Sequence, residues 1–254
     1  MIPKIIHYCW FGGNPLPPLA QRCIESWKKY CPDYEIIEWN ESNFSIADAP
    51  IYVRQAFEHK KWAFITDYVR LYAMTRLGGV YMDTDVEVVK PLDPYLTHRA
   101  FSGFESTSAI PTGIMACEKD FPLFCDLLKY YDTATFVNSD GTLNFTTNVK
   151  IITDMCLERG LVLSDTLQEV DGFALYPHDV FCPVSWKTME LERTENTATI
   201  HWFAGSWKAD YEEQSRKMEK LRRISVIKYA PNRILYKLLG EKRYYALKNK
   251  IKGK

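Results

Sequence analysis

Two carboxylates stand one residue apart at Asp83-Thr84-Asp85, directly after a short apolar run, Val80-Tyr81-Met82. Like charges at that spacing repel, and a fold keeps them together where something offsets the repulsion. A Mg2+ or Mn2+ ion would do so. Hard cations prefer oxygen ligands, and such sites usually add substrate phosphate oxygens to the protein's own. The chemistry this suits is cleavage of a bond to a diphosphate, whose departing oxygens gain charge that a cation stabilises. A second pair lies upstream: Asp67 and Arg70 are three residues apart and share one face of a helix. The planar fork of arginine fits phosphate or hydroxyl oxygens. A third constellation is His201-Trp202-Phe203-Ala204-Gly205-Ser206-Trp207.

An Asp-x-Asp alone is a common turn sequence, so the elements around it carry the weight. Trp62 to Leu77 reads as a helix, with Phe64, Tyr68, Leu71, Tyr72 and Thr75 near one stripe and Gly78-Gly79 as its stop. The apolar run of residues 80–82 reads as a brief strand, which places the two acids at a strand end, where open α/β sheets bind ligands. Upstream, Lys4 to Phe11 reads as a buried strand halted by Gly12-Gly13-Asn14-Pro15. Pro17-Pro18 opens a helix to about Tyr30, and Tyr34 to Trp39 is a second strand. Together these suggest a right-handed parallel βαβ unit. Residues 41–60 read as short helices and loops. Further strands are expected at residues 86–89, 100–104, 113–116 and 197–202, and helices at 121–131 and 148–159. Thr147-Asn148, opening the last of these, could present polar groups to a ligand or serve as a helix cap. His7 reads as buried structure. The whole is one mixed α/β domain with a helical tail from near Trp207.

Composition bounds the class. The 254 residues are 46% hydrophobic and 25% charged, an ordinary globular balance. Net charge is zero, but residues 214–254 hold fourteen Lys/Arg against two acids, which leaves an acidic body and a basic tail. The acidic body and the absence of a recognition motif argue against nucleic acid as a partner. Interleaved apolar and basic residues in the tail suit an anionic membrane surface. The seven cysteines are odd in number and contain no CxxC pair, so they read as core residues of a protein in a reducing cytoplasm. The opening residues lack a signal-peptide pattern, and no window reaches the roughly 20 apolar residues of a membrane span. The expectation is a cytoplasmic protein, peripheral on the inner face of the plasma membrane.

The stretch Trp62-Ala-Phe-Ile-Thr-Asp67-Tyr-Val-Arg70 followed by Leu77-Gly-Gly-Val-Tyr81-Met-Asp83-Thr-Asp85 resembles the DXD-containing sugar-binding region of glycosyltransferase family 32. Ile2-Pro-Lys-Ile-Ile-His7-Tyr-Cys-Trp10-Phe-Gly-Gly13, Ser26-Trp27 and Tyr34-Glu-Ile-Ile-Glu-Trp39-Asn40 extend the resemblance over most of residues 1–95. It returns at His201–Trp207, and is loose over residues 100–195. The resemblance implies a GT-A fold, a Rossmann-like nucleotide-binding mixed sheet flanked by helices, over residues 1–207, with residues 208–254 as the basic helical tail. It implies a retaining, metal-dependent transfer of a hexose or N-acetylhexosamine from a nucleotide-diphosphate sugar, with UDP favoured and GDP-mannose the alternative. The acceptor is a saccharide, including one carried on a lipid, in capsule, O-antigen or exopolysaccharide synthesis.

Residue by residue, the resemblance implies that Trp10 stacks on the nucleotide base and that Asp67 and Arg70 bond sugar hydroxyls and phosphate. Tyr81 lies against the nucleotide, Asp83 contacts ribose or metal-bound water, and Asp85 ligates the metal. His201 is a candidate third ligand, and Ser206 and Trp207 are candidates for the diphosphate. No side chain stands out as a nucleophile, so front-face substitution, with the leaving phosphate taking the acceptor's proton, is the expected route. The competing classes are a phosphohydrolase using Asp83 and a non-catalytic carbohydrate-binding protein.

Overall fold

The computed structural model describes residues 1–105, 109–185, 190–205 and 220. The chain falls into two compact units, Met1–Phe203 and Ala204–Lys254. The basic tail expected at 208–254 lies outside the described residues except for Lys220.

The first unit opens as the βαβ pattern requires. Strand β1 (Ile5–Cys9) leads to helix α1 (Pro18–Tyr30) and strand β2 (Glu35–Trp39), which pairs parallel to β1 from Ile5↔Glu35 to Cys9↔Trp39. Proline at the first helical position has the φ a helix needs and gives up only an amide that would lack a helical partner. Helix α1 buries Leu19, Ala20, Cys23, Ile24 and Trp27. Helix α2 (Ile51–Glu58) and helix α3 (Trp62–Leu77) then lead to strand β3 (Gly79–Met82).

The sequence suggested a one-sided stripe on α3; the structure shows burial almost all round. Ile65, Asp67, Val69, Arg70, Ala73 and Met74 are buried along with Phe64, Leu71 and Thr75, whereas Tyr68 and Tyr72 are only half-buried. The helix is enclosed because it packs on β1 and β3 and also on α2 and on helix α4 (Pro122–Thr133).

After β3 come strands β4 (Val86–Val88), β5 (Ala100–Gly103) and β6 (Ile114–Cys117), then α4 and helix α5 (Asn148–Glu158). Strands β7 (Gln168–Val170) and β8 (Phe173–Tyr176), a one-turn helix α6 (His178–Phe181) and strand β9 (Thr199–His201) complete the order. The main sheet runs β2-β1-β3-β6-β5-β8-β7, and β4 pairs with β9 in a separate ribbon. Strands β2, β1, β3, β5 and β8 run one way, with β6 and β7 opposed. Alternate residues of each strand feed two cores. Tyr81 and Met115 belong with α2–α5 on one face; Val80, Met82, Ile114 and Ala116 belong with α1 and β4 on the other.

The hairpin β7–β8 and the α6 turn were not anticipated. The hairpin had a readable signal: Asp171-Gly172 forms its two-residue loop with φ of 51° and 85°, the geometry for which Asp-Gly is favoured. All seven cysteines are free thiols, and six are buried.

Candidate active site

The strand-end acids are positioned by a junction of helix, glycine and strand. Gly79 has φ 114°, and a Cβ there would lie 2.7 Å from the Ile5 carbonyl oxygen and 3.0 Å from His7 Nε2. Only glycine lets β3 begin this close to β1. His7 is fully buried, as expected: its Nε2 lies 2.8 Å from the Gly78 carbonyl and Trp39 Nε1 donates to its Nδ1 at 3.2 Å. Burial holds its pKa below the ordinary histidine value. His7 is therefore a neutral tie between the end of α3 and the first two strands.

At the end of β3 the chain turns sharply. The Asp83 amide donates to the Gly113 carbonyl at 2.8 Å, and the Val86 amide donates to the Asp83 carbonyl at 2.9 Å. Asp85 thereby enters β4, where Val86 pairs with His201 of β9. His201 Nε2 lies 3.3 Å from Asp85 Oδ1 and 4.0 Å from Asp83 Oδ2. Ligand atoms of Asp83, Asp85 and His201 all fall within 4.8 Å of one another, forming the one such group among the described residues.

Two carboxylates and an imidazole form a donor set that fits a divalent cation of the Mn2+ or Mg2+ kind. Burial opposes the charged imidazolium of His201, but the neighbouring Asp85 carboxylate outweighs it and holds the pKa well above the ordinary value.

Asp67 and Arg70 do share a face of α3, and both are buried, so they are not a solvated surface pair. The guanidinium lies 3.2 Å from Asp67 Oδ1 and 3.5 Å from Asp83 Oδ1, and donates to the Thr112 carbonyl at 2.6 Å. Burial pushes the Asp67 carboxyl up to about 6, with Arg70 and the Asn148 amide acting against that. Arg70 links Asp67 to the metal group by charge and by shape, since its guanidinium carbon sits 4.6 Å above the Tyr81 ring.

Tyr81, expected against the nucleotide, is packed into the core beneath Asp83. Its ring is 1% exposed, and its hydroxyl donates to Asp83 Oδ1 at 2.8 Å. The alternation of β3 turns residue 81 onto the α3 face, so it supports Asp83 from beneath. Trp10 follows β1 and is half-buried, with its indole N–H donating to the Asn14 carbonyl at 2.5 Å. Ser206 and Trp207 lie outside the described residues.

Two supports were not assigned a role from sequence, and a third, Asn148, takes a place other than the two weighed for it. Ser26 Oγ accepts the Val88 amide at 2.9 Å and Trp27 Nε1 donates to the Val86 carbonyl at 2.7 Å, so α1 fixes the ribbon that carries Asp85. Thr112-Gly113 supplies both carbonyls described above, and a Cβ on Gly113 would stand 2.7 Å from His201 Cε1. Asn148 is fully buried against Asp67, and the Thr147 side chain makes no cap bond. It therefore neither caps α5 nor faces solvent as a ligand contact.

A mixed sheet in which β3 ends at paired aspartates, with a histidine returning from a late strand, agrees with the arrangement that the resemblance to glycosyltransferase family 32 implies. Residues 17–102 match the family described as the glycosyltransferase sugar-binding region containing DXD motif. The matched stretch holds Asp67, Arg70, Tyr81, Asp83 and Asp85; Trp10, Asn148 and His201 fall outside it.

Two curated relatives are yeast proteins. Inositol phosphoceramide mannosyltransferase 3 of Schizosaccharomyces pombe is 30% identical over 131 residues, covering 50% of this chain and 36% of that protein. Mannosyl phosphorylinositol ceramide synthase SUR1 of Saccharomyces cerevisiae is 28% identical over 148 residues, covering 54% and 37%. The chain thus spans little more than a third of the length of either relative. Among solved structures, a glycosyltransferase involved in glycosylation of the major capsid of PBCV-1 aligns with TM-score 0.49 at 12% identity, covering 85% of this chain and 100% of that one.

Proposed function

We propose that this chain is a metal-dependent glycosyltransferase that moves a hexose or N-acetylhexosamine from a nucleotide-diphosphate sugar to a saccharide acceptor. The observation that carries the reading is the convergence of Asp83, Asp85 and His201 within 4.8 Å beside the buried Asp67–Arg70 pair. A Mn2+ or Mg2+ ion held by that trio supplies charge stabilisation to the departing diphosphate. The chain's own residues do the remaining work. Trp10, at the end of β1 on the same sheet edge as Asp83, supports the base. Asp67 and Arg70 orient the sugar, and Arg70 fixes Asp83. With no nucleophilic side chain assigned, we favour retention by front-face attack, which demands positioning more than a strong base.

UDP-sugars are the first reading of the donor, in synthesis of a surface polysaccharide. A second reading, mannose from a GDP carrier onto a lipid-borne acceptor, is favoured by the names of the yeast relatives. Either acceptor suits a protein held at the cytoplasmic face of a membrane by the basic residues 214–254. No helix among the described residues is long and apolar enough to cross one. The experiment is a screen of UDP- and GDP-sugars with Mn2+, reading calorimetric heat and slow sugar release. The reading predicts a heat that vanishes with chelator for at least one nucleoside diphosphate. Metal-independent sugar binding would point to a non-catalytic carbohydrate-binding protein, and fast phosphate release to a hydrolase.

A further inference from the structure

Asn148 opens α5 and is completely buried. A buried primary amide must satisfy its polar atoms, and those of Asn148 are satisfied by two other helices. The Tyr131 hydroxyl of α4 donates to Asn148 Oδ1 at 2.6 Å. A phenol can donate or accept, but the backbone carbonyl at the other end of the amide only accepts, so the nitrogen must face that carbonyl and the oxygen faces Tyr131. Asn148 Nδ2 then donates to the Asp67 backbone carbonyl of α3 at 2.7 Å. The Asn148 backbone N–H, one of the four amides that a helix start leaves without a helical partner, donates to Asp67 Oδ2 at 3.3 Å. Arg70 faces the other oxygen, Oδ1, at 3.2 Å.

The Asp67 carboxylate is thus held from two sides, by the Asn148 backbone N–H and by Arg70, while the chain of bonds from Tyr131 through the Asn148 amide ends on the Asp67 backbone carbonyl and so fixes the start of α5 against that turn of α3. An apolar residue at position 148 would fill the same core without the desolvation cost of an amide. The Tyr131 ring is itself set by edge contacts with Tyr52 and Tyr68, at 5.0 and 5.6 Å between centroids.

We propose that Asn148 is a positioning residue, clamped by Tyr131, that sets the attitude of the Asp67 carboxylate toward the donor sugar. This rests on the glycosyl-transfer reading above. It assigns the sugar half of the donor site a support that the nucleotide half does not share. Asp83, Asp85, His201 and Trp10 make no contact with Asn148 among the bonds described, and Arg70 keeps Asp83 and the Thr112 carbonyl as partners of its own, so loss of the clamp should act first on the sugar contact.

The test compares wild type with Asn148→Ala and Tyr131→Phe, each with Mn2+. Calorimetry measures Kd for UDP and GDP. Hydrolysis of UDP-glucose, UDP-galactose, UDP-N-acetylglucosamine and GDP-mannose gives kcat and KM for whichever the wild type accepts. Both variants are expected to bind the nucleoside diphosphate as wild type does. kcat for the sugar nucleotide should fall by about 100-fold in Asn148→Ala, the scale of a small misplacement of a reacting group, and less in Tyr131→Phe. Tyr131→Phe keeps the ring and serves where Asn148→Ala fails to fold.

The proposal is overturned if folded variants keep the wild-type kcat. It is equally overturned if they weaken nucleoside diphosphate and sugar nucleotide in the same proportion, the mark of a general structural role. A wild type that binds no nucleoside diphosphate overturns the glycosyl-transfer reading itself, a result distinct from normal wild-type binding with unaffected variants.

Discussion

Asp83 and Asp85 are separated by one residue, yet they hang on different sheets. Asp83 closes β3 of the seven-stranded sheet. Its amide is fixed by Gly113, and its Oδ1 is held by Tyr81 and Arg70. Asp85 leads into the β4–β9 ribbon, where its partner is His201 and its backbone carbonyl accepts the Trp202 amide at 3.1 Å. The main sheet therefore presents a carboxylate that already has a structural duty, with Oδ2 turned toward the metal group. The ribbon presents an acid and a base that meet at 3.3 Å, His201 Nε2 to Asp85 Oδ1. A single three-residue motif thus supplies one carboxylate anchored in the main sheet and one that meets His201 across the ribbon, the proposed working ligand. The difference teaches that cation binding depends on how the ribbon is held against the sheet.

The sharpest way to break this comparison is to remove each acid in turn. Asp85→Ala should abolish metal-dependent binding of nucleoside diphosphate and lower turnover by at least about 1,000-fold, several kcal/mol of lost charge stabilisation. The protein should stay folded, because the removed side chain is not part of the β3–α3 junction. Asp83→Ala should lose activity as well, but with a lowered Tm, since it leaves Arg70 buried with one charge partner fewer. Calorimetry and thermal melts on the two variants decide it. Equal Tm losses would erase the distinction between anchored and working ligand.

The second prediction concerns the seam between the sheets. A methyl group on Gly113 would stand 2.7 Å from Cε1 and 2.8 Å from Nδ1 of His201. Gly113→Ala should therefore push the imidazole away from Asp85 and weaken Mn2+ binding by about 10- to 100-fold, the usual scale for a residue that orients a ligand. The double variant Gly113→Ala/His201→Ala should be no worse than His201→Ala alone, because contacting residues act through one interaction. Additive losses measured by metal titration would show that Gly113 acts elsewhere.

Much of this was readable in sequence, and the parts that were not share a cause. The helix over residues 62–77 and the strand before the acids carried local signals: apolar spacing, a glycine stop, paired carboxylates. His201 could be singled out from the motif around it, but its approach to Asp85 depends on the antiparallel pairing Val86↔His201, a contact between residues far apart in the chain. The face that Tyr81 takes was not legible, because an aromatic on a short strand can serve either face, and only the pairing of β3 with β1 and β6 decides which. Asn148 was weighed as a cap or a ligand contact; neither alternative included a bond to a helix 81 residues earlier. Ser26-Trp27 was visible as a motif, though its work on β4 lies in hydrogen bonds to a backbone that only the folded chain brings near.

That last anchor gives the smallest expected effect. Ser26 Oγ accepts a hydrogen bond from the Val88 amide and donates one to the Cys23 carbonyl at 2.5 Å, so it ties β4 to the interior of α1. Ser26→Ala leaves the Val88 amide without that acceptor, at a cost of about 1–3 kcal/mol, or a few degrees of Tm in a chain of this size. Trp27 still accepts the strain of holding β4, because its indole N–H bonds the Val86 carbonyl one turn of the ribbon closer to Asp85. Manganese affinity should therefore fall far less than in Gly113→Ala, while the melting temperature falls measurably. Should affinity drop as steeply as in Gly113→Ala, the ribbon would be held to the sheet chiefly by α1, and the packing of Gly113 against His201 would follow from that anchorage.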